Sequence, residues 1–170
     1  MIRMIQGDIT KIKDVDAIVN ATNWTLLGGD GVDGAIHKAA GLKLHWACIK
    51  LHGCKTGEAK ITEAFNLSCK YIIHTVGPVW HGGNRGEAKL LGACYRNSLL
   101  LAKQYGIRRI AFSSISTGVF HYPIKLAAST AVKVVKETLE SYGNSFDLIE
   151  WVLFDEETFD AYNAQIRQNE

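Results

Sequence analysis

No apolar run in this chain approaches the ~20 residues needed to cross a bilayer as a helix; the longest, such as Leu99 to Ala102, are far shorter. An integral helical membrane protein is thereby excluded, and no membrane partner is expected. The segment Met1 to Asp8 lacks the basic, apolar and small-residue layout of a secretory leader, so the expected location is cytoplasmic. There is no CxxC pair: Cys48, Cys54, Cys69 and Cys94 are scattered, which predicts reduced thiols rather than a disulfide framework. His45, Cys48, His52 and Cys54 cluster in sequence, but ordinary buried or surface roles outweigh a metal site for them. Lys and Arg form no stripe and the net charge is only +2, so nucleic acid is not expected as the principal partner, and RNA binding is left without support from the charge pattern. The absence of a GxxxxGK motif followed by Ser or Thr argues against a P-loop nucleotide hydrolase. No Ser-His-Asp or Cys-His arrangement is defensible from spacing.

What is present reads as one globular body. Of 170 residues, 47% are apolar and 21% charged, ordinary values for a soluble domain. A chain of this length buries roughly 70% of its unfolded surface, enough for one core, so a single domain over residues 1–170 is expected. Apolar and β-branched runs at Ile2 to Ile5, Ala17 to Val19, Lys60 to Thr62, Tyr71 to Val76, Arg109 to Ser113 and Leu148 to Leu153 predict strands. Helical spacing recurs from Glu87 to Tyr105, after Pro123 and from Glu156 to Ile166, and from Gly34 to Leu51 with a break near Gly41. Strands alternating with helices predict an α/β sandwich with a largely parallel sheet. The short connection between Thr62 and Tyr71 permits a local antiparallel pairing and hence a mixed sheet.

In such sheets ligands sit beyond the carboxyl ends of the strands, which directs attention to two loops. The first runs from Asn20 through Gly28, Gly29, Gly31 and Gly34 into a helical pattern; its glycines let backbone amides approach an anion, and the helix N-terminus adds partial positive charge. The second, Ser116-Thr117-Gly118-Val119-Phe120-His121-Tyr122-Pro123, again joins a strand to a helix. Each alone is explained by turn geometry; together they predict a clamp for one diphosphate. Gly29 to Gly34 also satisfies GxGxxG, but these glycines do not directly follow a strand, and no acidic residue stands about twenty positions further on, so a dinucleotide-binding unit is not expected.

Gly7-Asp8-Ile9-Thr10, Asn20-Ala21-Thr22-Asn23, Val32-Asp33-Gly34-Ala35-Ile36-His37, Gly57-Glu58-Ala59, Ile73-His74-Thr75-Val76-Gly77-Pro78 and Ser116-Thr117-Gly118-Val119-Phe120 occur in an order that resembles a MacroD-type macrodomain over nearly the whole chain. The resemblance implies a three-layer αβα fold that binds ADP-ribose in a cleft. It also implies hydrolysis of mono-ADP-ribose esters on acidic side chains of modified proteins and of O-acetyl-ADP-ribose. No cofactor is implied, and the segment Trp24 to Gly34 contains no Cys or His of the kind that ligates zinc in the metal-dependent class. A monomer is expected. The alternative is a non-catalytic reader that recognises ADP-ribosylated partners.

Residue by residue, the resemblance makes Asp8 the adenine-reading acid, beside Ile9; without it, Asp8 would be a cap or turn residue next to Thr10. Phe154, after the last strand, either stacks on adenine or belongs to the core. Asn20 and Asn23 carry amide groups suited to ribose hydroxyls, with turn formation as the alternative. Asp33 is the candidate to orient or deprotonate the attacking water, with the substrate diphosphate sharing that work; as a helix N-cap it could serve both roles. Gly31, Val32, Ser116, Thr117, Gly118, Val119 and Phe120 complete the expected ligand contacts. His37 and His74 lie in apolar elements, where hydrogen-bonded structural histidines are more frequent. The chain departs from the family pattern at Trp24, Thr25, Asp30 and His121. Trp24 either walls the distal ribose or packs at the rim, and a left-handed backbone at His121 would strain its side chain.

Overall fold

The computed structural model describes residues 1–168, so the last two positions of the expected span 1–170 lie outside the described residues. Six strands, β1 Ile2–Gln6, β2 Ala17–Thr22, β3 Ala59–Glu63, β4 Tyr71–Val76, β5 Arg109–Phe112 and β6 Leu148–Leu153, form one sheet in the order β1-β6-β5-β2-β4-β3. Every neighbouring pair is parallel except β3–β4, which is antiparallel. Parallel partners need a long crossover, whereas residues 64–70 suffice to return the chain antiparallel. β6 is buried at every position and β2 at all but one, because helices cover both faces of the sheet.

Among the described residues the α-helices are α1 Gly31–Ala40, α2 Leu42–Ile49, α3 Glu87–Gln104, α4 Ile124–Tyr142 and α5 Glu156–Gln168. Side chains alternate between two cores, as the strand period of two requires. Ala17, Val19, Ile73, Ile110, Phe112, Ile149 and Trp151 face α3, α4 and α5. Ile18, Ile72, Ala111, Leu148 and Val152 face α1 and α2. The result is the expected three-layer αβα sandwich with a mixed, largely parallel sheet. On the larger face Trp151, Tyr95, Phe112 and Tyr162 pack ring against ring, with centroids 5.1 to 5.9 Å apart for the Tyr95, Phe112, Trp151 and Tyr162 pairs.

Two boundaries refine the sequence expectation. The first helix starts at Gly31 rather than Gly34, because Asp30 is extended (φ −87°, ψ 171°) and acts as the N-cap position. The break at Gly41 is real: its φ of 93° is left-handed, and a Cβ there would come within 2.8 Å of Asn66 Nδ2. Among the described residues no helix is long and apolar enough to cross a membrane. The loops after β1, β2, β5 and β6 meet at one end of the sheet, where the candidate site lies.

Candidate functional site

The first glycine-bearing loop is held in shape by its own polar groups. Asn23 Oδ1 accepts from the backbone N–H of Thr25 at 3.0 Å, and its Nδ2 donates to the Gly28 carbonyl at 3.3 Å. This is the turn-forming role open to asparagine, and it folds the loop back onto α1. Gly34 must be glycine because a Cβ there would run into the Gly29 carbonyl. Asp30 makes no side-chain cap bond, so the first amides of α1 are left for an external acceptor at the positive end of the helix.

The second loop faces it. Ser116 adopts a left-handed φ of 67° and His121 one of 59°, with Tyr122 N–H donating to the Ser116 carbonyl at 2.9 Å to close the turn. A Cβ on Gly77 would collide with Ser116 Oγ, so the end of β4 has to be bare for this loop to seat. Between the loops lies a cavity of about 190 Å³ walled by Asn23, Gly29, Asp33, Ser116, Val119 and Phe120, among others. A second chamber of about 470 Å³ adjoins it and shares Gly31, Val32, Ser114 and Gly118. The two are therefore one continuous cleft.

The second chamber carries an acid at one end and an aromatic ring at its edge. Asp8 Oδ1 accepts from Thr10 N–H at 2.9 Å and Thr10 Oγ1 at 2.6 Å. Chiefly through that hydroxyl, the Asp8 carboxyl is held below its ordinary value and so stays an acceptor. Ile9 forms part of the wall, and Phe154 is 81% exposed, which assigns it to the cleft rim and not to the core. None of the residues lining either chamber is Lys or Arg, while Asp8, Asp30, Asp33 and Asp155 all contribute carboxylates. An anion bound here must be held by backbone amides and hydroxyls.

Asp33 stands on the first turn of α1, 4% exposed, with both oxygens engaged. Oδ1 accepts from Asn20 Nδ2 at 2.9 Å and Oδ2 from Thr22 Oγ1 at 2.9 Å. His37, one helical turn on, brings Nε2 to 3.5 Å from Oδ1. Burial pushes the His37 ring below its ordinary value, with the Asp33 carboxylate opposing. A carboxylate offers about four lone-pair sites, so Asp33 keeps acceptor capacity toward the cavity it lines.

The sequence-selected residues Asp8, Ile9, Asn23, Gly31, Val32, Asp33, Ser116, Thr117, Gly118, Val119, Phe120 and Phe154 all line the two chambers. Asn20 does not: it is 0% exposed and sits behind Asp33, turned toward His74. Trp24 is 70% exposed and off the chamber walls, held near the surface by Cys54 N–H donating to its carbonyl at 2.9 Å. Sequence reasoning missed Thr22, which shares the Asn20 face of β2, and the Asp33–His37 pair, which the spacing of four on one helix signals. It also missed Ser114, whose Oγ lies 2.6 Å from Thr117 Oγ1 and 3.0 Å from the Tyr162 hydroxyl; nothing in the local sequence signals that role.

Comparison with known proteins points one way. The family described as Macro domain matches residues 19–131. A macro domain-containing protein of Chlorobaculum tepidum is 54% identical over 166 residues, covering 98% of this chain and 95% of the relative. The solved Oceanobacillus iheyensis macrodomain with ADP is 42% identical with a TM-score of 0.91, over 98% of this chain and 90% of that one. The Trypanosoma brucei macrodomain in complex with ADP-ribose is 39% identical with a TM-score of 0.90, over 97% of this chain and 68% of that one.

Proposed function

The chain belongs to the Macro domain family, and on that premise we propose that it binds ADP-ribose and hydrolyses its esters. The substrates are mono-ADP-ribose linked to acidic side chains of proteins and O-acetyl-ADP-ribose. The observation that carries this reading is Asp33, ionisable and held by Asn20 and Thr22 in the wall of the cavity between the two glycine-bearing loops. Adenine enters the larger chamber, its exocyclic amino group donating to Asp8 and its ring meeting Phe154. The diphosphate takes the free amides of α1 and those of the Ser116 to Phe120 loop.

The distal ribose and its ester then lie over Asp33. A water held between the carboxylate and the diphosphate attacks the ester, whose cleavage consumes that water and releases ADP-ribose and a free carboxylic acid. Asn23 shapes the loop over the sugar, and Asn20 supports Asp33 from behind. We assign this activity to a single-domain monomer acting in the cytoplasm.

The test is to incubate the protein with an acid-linked mono-ADP-ribosylated substrate and with O-acetyl-ADP-ribose, and to quantify free ADP-ribose. Asp33→Ala should slow release at least several-fold, yet by less than the ~100-fold loss common for a lone general base, since the diphosphate shares the work. Calorimetry should find ADP-ribose affinity largely kept. Equal turnover in wild type and variant would remove the catalytic role of Asp33. Binding without cleavage of either ester would select the non-catalytic reader.

A further inference from the structure

Asn20 and His74 stand in register on neighbouring strands β2 and β4, and both point to the α1 side of the sheet together with Thr62 of β3. All three side chains are buried. One N–H of the Asn20 amide donates to Asp33 Oδ1 at 2.9 Å, and the same nitrogen lies 3.3 Å from His74 Nδ1. Among the described residues the buried amide oxygen of Asn20 has no partner, so only those two acceptors choose between the two flips of the amide. Reversed, its oxygen would face the Asp33 carboxylate acceptor to acceptor, and two buried N–H donors would lose their bonds.

For His74 Nδ1 to accept, the ring proton must reside on Nε2, which lies 2.9 Å from Thr62 Oγ1. Thr62 then accepts that proton's bond. Burial, helped by the neighbouring His37, pushes the His74 ring down to about 3, so the neutral form persists across the working range.

We propose that the buried chain Thr62–His74–Asn20 is a positioning relay for Asp33: Thr62 accepts from Nε2–H and holds the His74 ring in place, the bare Nδ1 takes one N–H of the Asn20 amide and fixes its flip, and the amide aims the Asp33 carboxylate into the cleft. His74 and Thr62 touch neither cleft chamber and act only through Asn20. The relay rests on the hydrolase reading for its consequence, but not for its geometry.

Two substitutions at one position separate positioning from simple structure. His74→Asn keeps an acceptor where Nδ1 stands; His74→Gln places its amide toward Thr62 and leaves Asn20 unsupported. Turnover of the acid-linked ester should fall severalfold in His74→Gln, by no more than in Asp33→Ala, with ADP-ribose affinity within about twofold of wild type. His74→Asn should recover most of that loss. Nitrogen NMR of the wild-type imidazole should show a protonated Nε2 and an accepting Nδ1. An Nδ1–H ring in the wild type overturns the relay, as does full turnover in His74→Gln or no recovery in a folded His74→Asn. If the wild type cleaves neither ester, the hydrolase reading fails, while the wild-type tautomer still decides the relay.

Discussion

His121 holds a left-handed backbone, φ 59°, that glycine would adopt freely. A non-glycine residue there carries about 1 to 3 kcal/mol of strain, partly offset by the entropy glycine loses on folding. His121→Gly should therefore raise the unfolding free energy by up to ~1 kcal/mol in urea denaturation. A clear loss of stability would mean that the imidazole makes contacts outweighing the strain. Ser116, φ 67°, is strained in the same way, but its hydroxyl is buried against Gly77. The second loop thus holds both of its strained residues around the amides it presents.

At the scale of elements, the cleft is supported from behind by helical side chains that do not line it. Tyr162 of α5 is fully buried; its hydroxyl lies 3.0 Å from Ser114 Oγ and 3.5 Å from the Tyr95 hydroxyl. Ser114 in turn meets Thr117 Oγ1 at 2.6 Å and lines both chambers. The last helix therefore reaches the second loop through two hydroxyls. Tyr162→Phe removes both of these contacts, the one at 3.5 Å being long, without changing the ring, and should cost about 1 kcal/mol of stability. It should also weaken ADP-ribose binding severalfold, read by calorimetry, because Ser114 and Thr117 lose their anchor. An unchanged dissociation constant would confine Tyr162 to the core. Glu87 does comparable work at the start of α3, where its carboxylate accepts from the backbone N–H groups of His81, Gly83 and Arg85. Those bonds pull its carboxyl down to about 2.

For the whole molecule, these buried groups set the response to pH. The unfolded chain protonates His74 below ~6.5, whereas the folded ring refuses the proton until about pH 3. The unfolded state therefore binds more protons in that window, and stability falls as pH drops through it, by at most about 1.4 kcal/mol per pH unit from this ring. His37, also lowered, acts in the same direction. The contribution of Glu87 is present above its unfolded value near ~4.3 and is lost as pH falls toward 2. Urea titrations at pH 7, 5.5 and 4 should show a steady decline, flattened over both intervals by His74→Asn. Stability that rises on acidification would show the native ring to be charged.

Residue order alone was enough for the alternation of strands and helices, the break at Gly41, the permitted antiparallel turn into β4 and the two glycine-bearing loops, because each follows from short-range periodicity and turn chemistry. It also placed Asp33 and the Ser116 to Phe120 segment beside one cleft, since both follow strand ends in a parallel sheet. It did not reveal that Asn20 turns away from the cleft, that Phe154 stands at the rim, or that Tyr162 supports Ser114. Those outcomes depend on strand register and helix docking, which join residues 12 to 54 positions apart: Asn20 meets His74 only because β2 pairs with β4, and Thr62 joins them only because β3 runs antiparallel to β4. Local chemistry specified the elements and their loops; long-range packing specified which polar groups the core would hold in place behind the cleft.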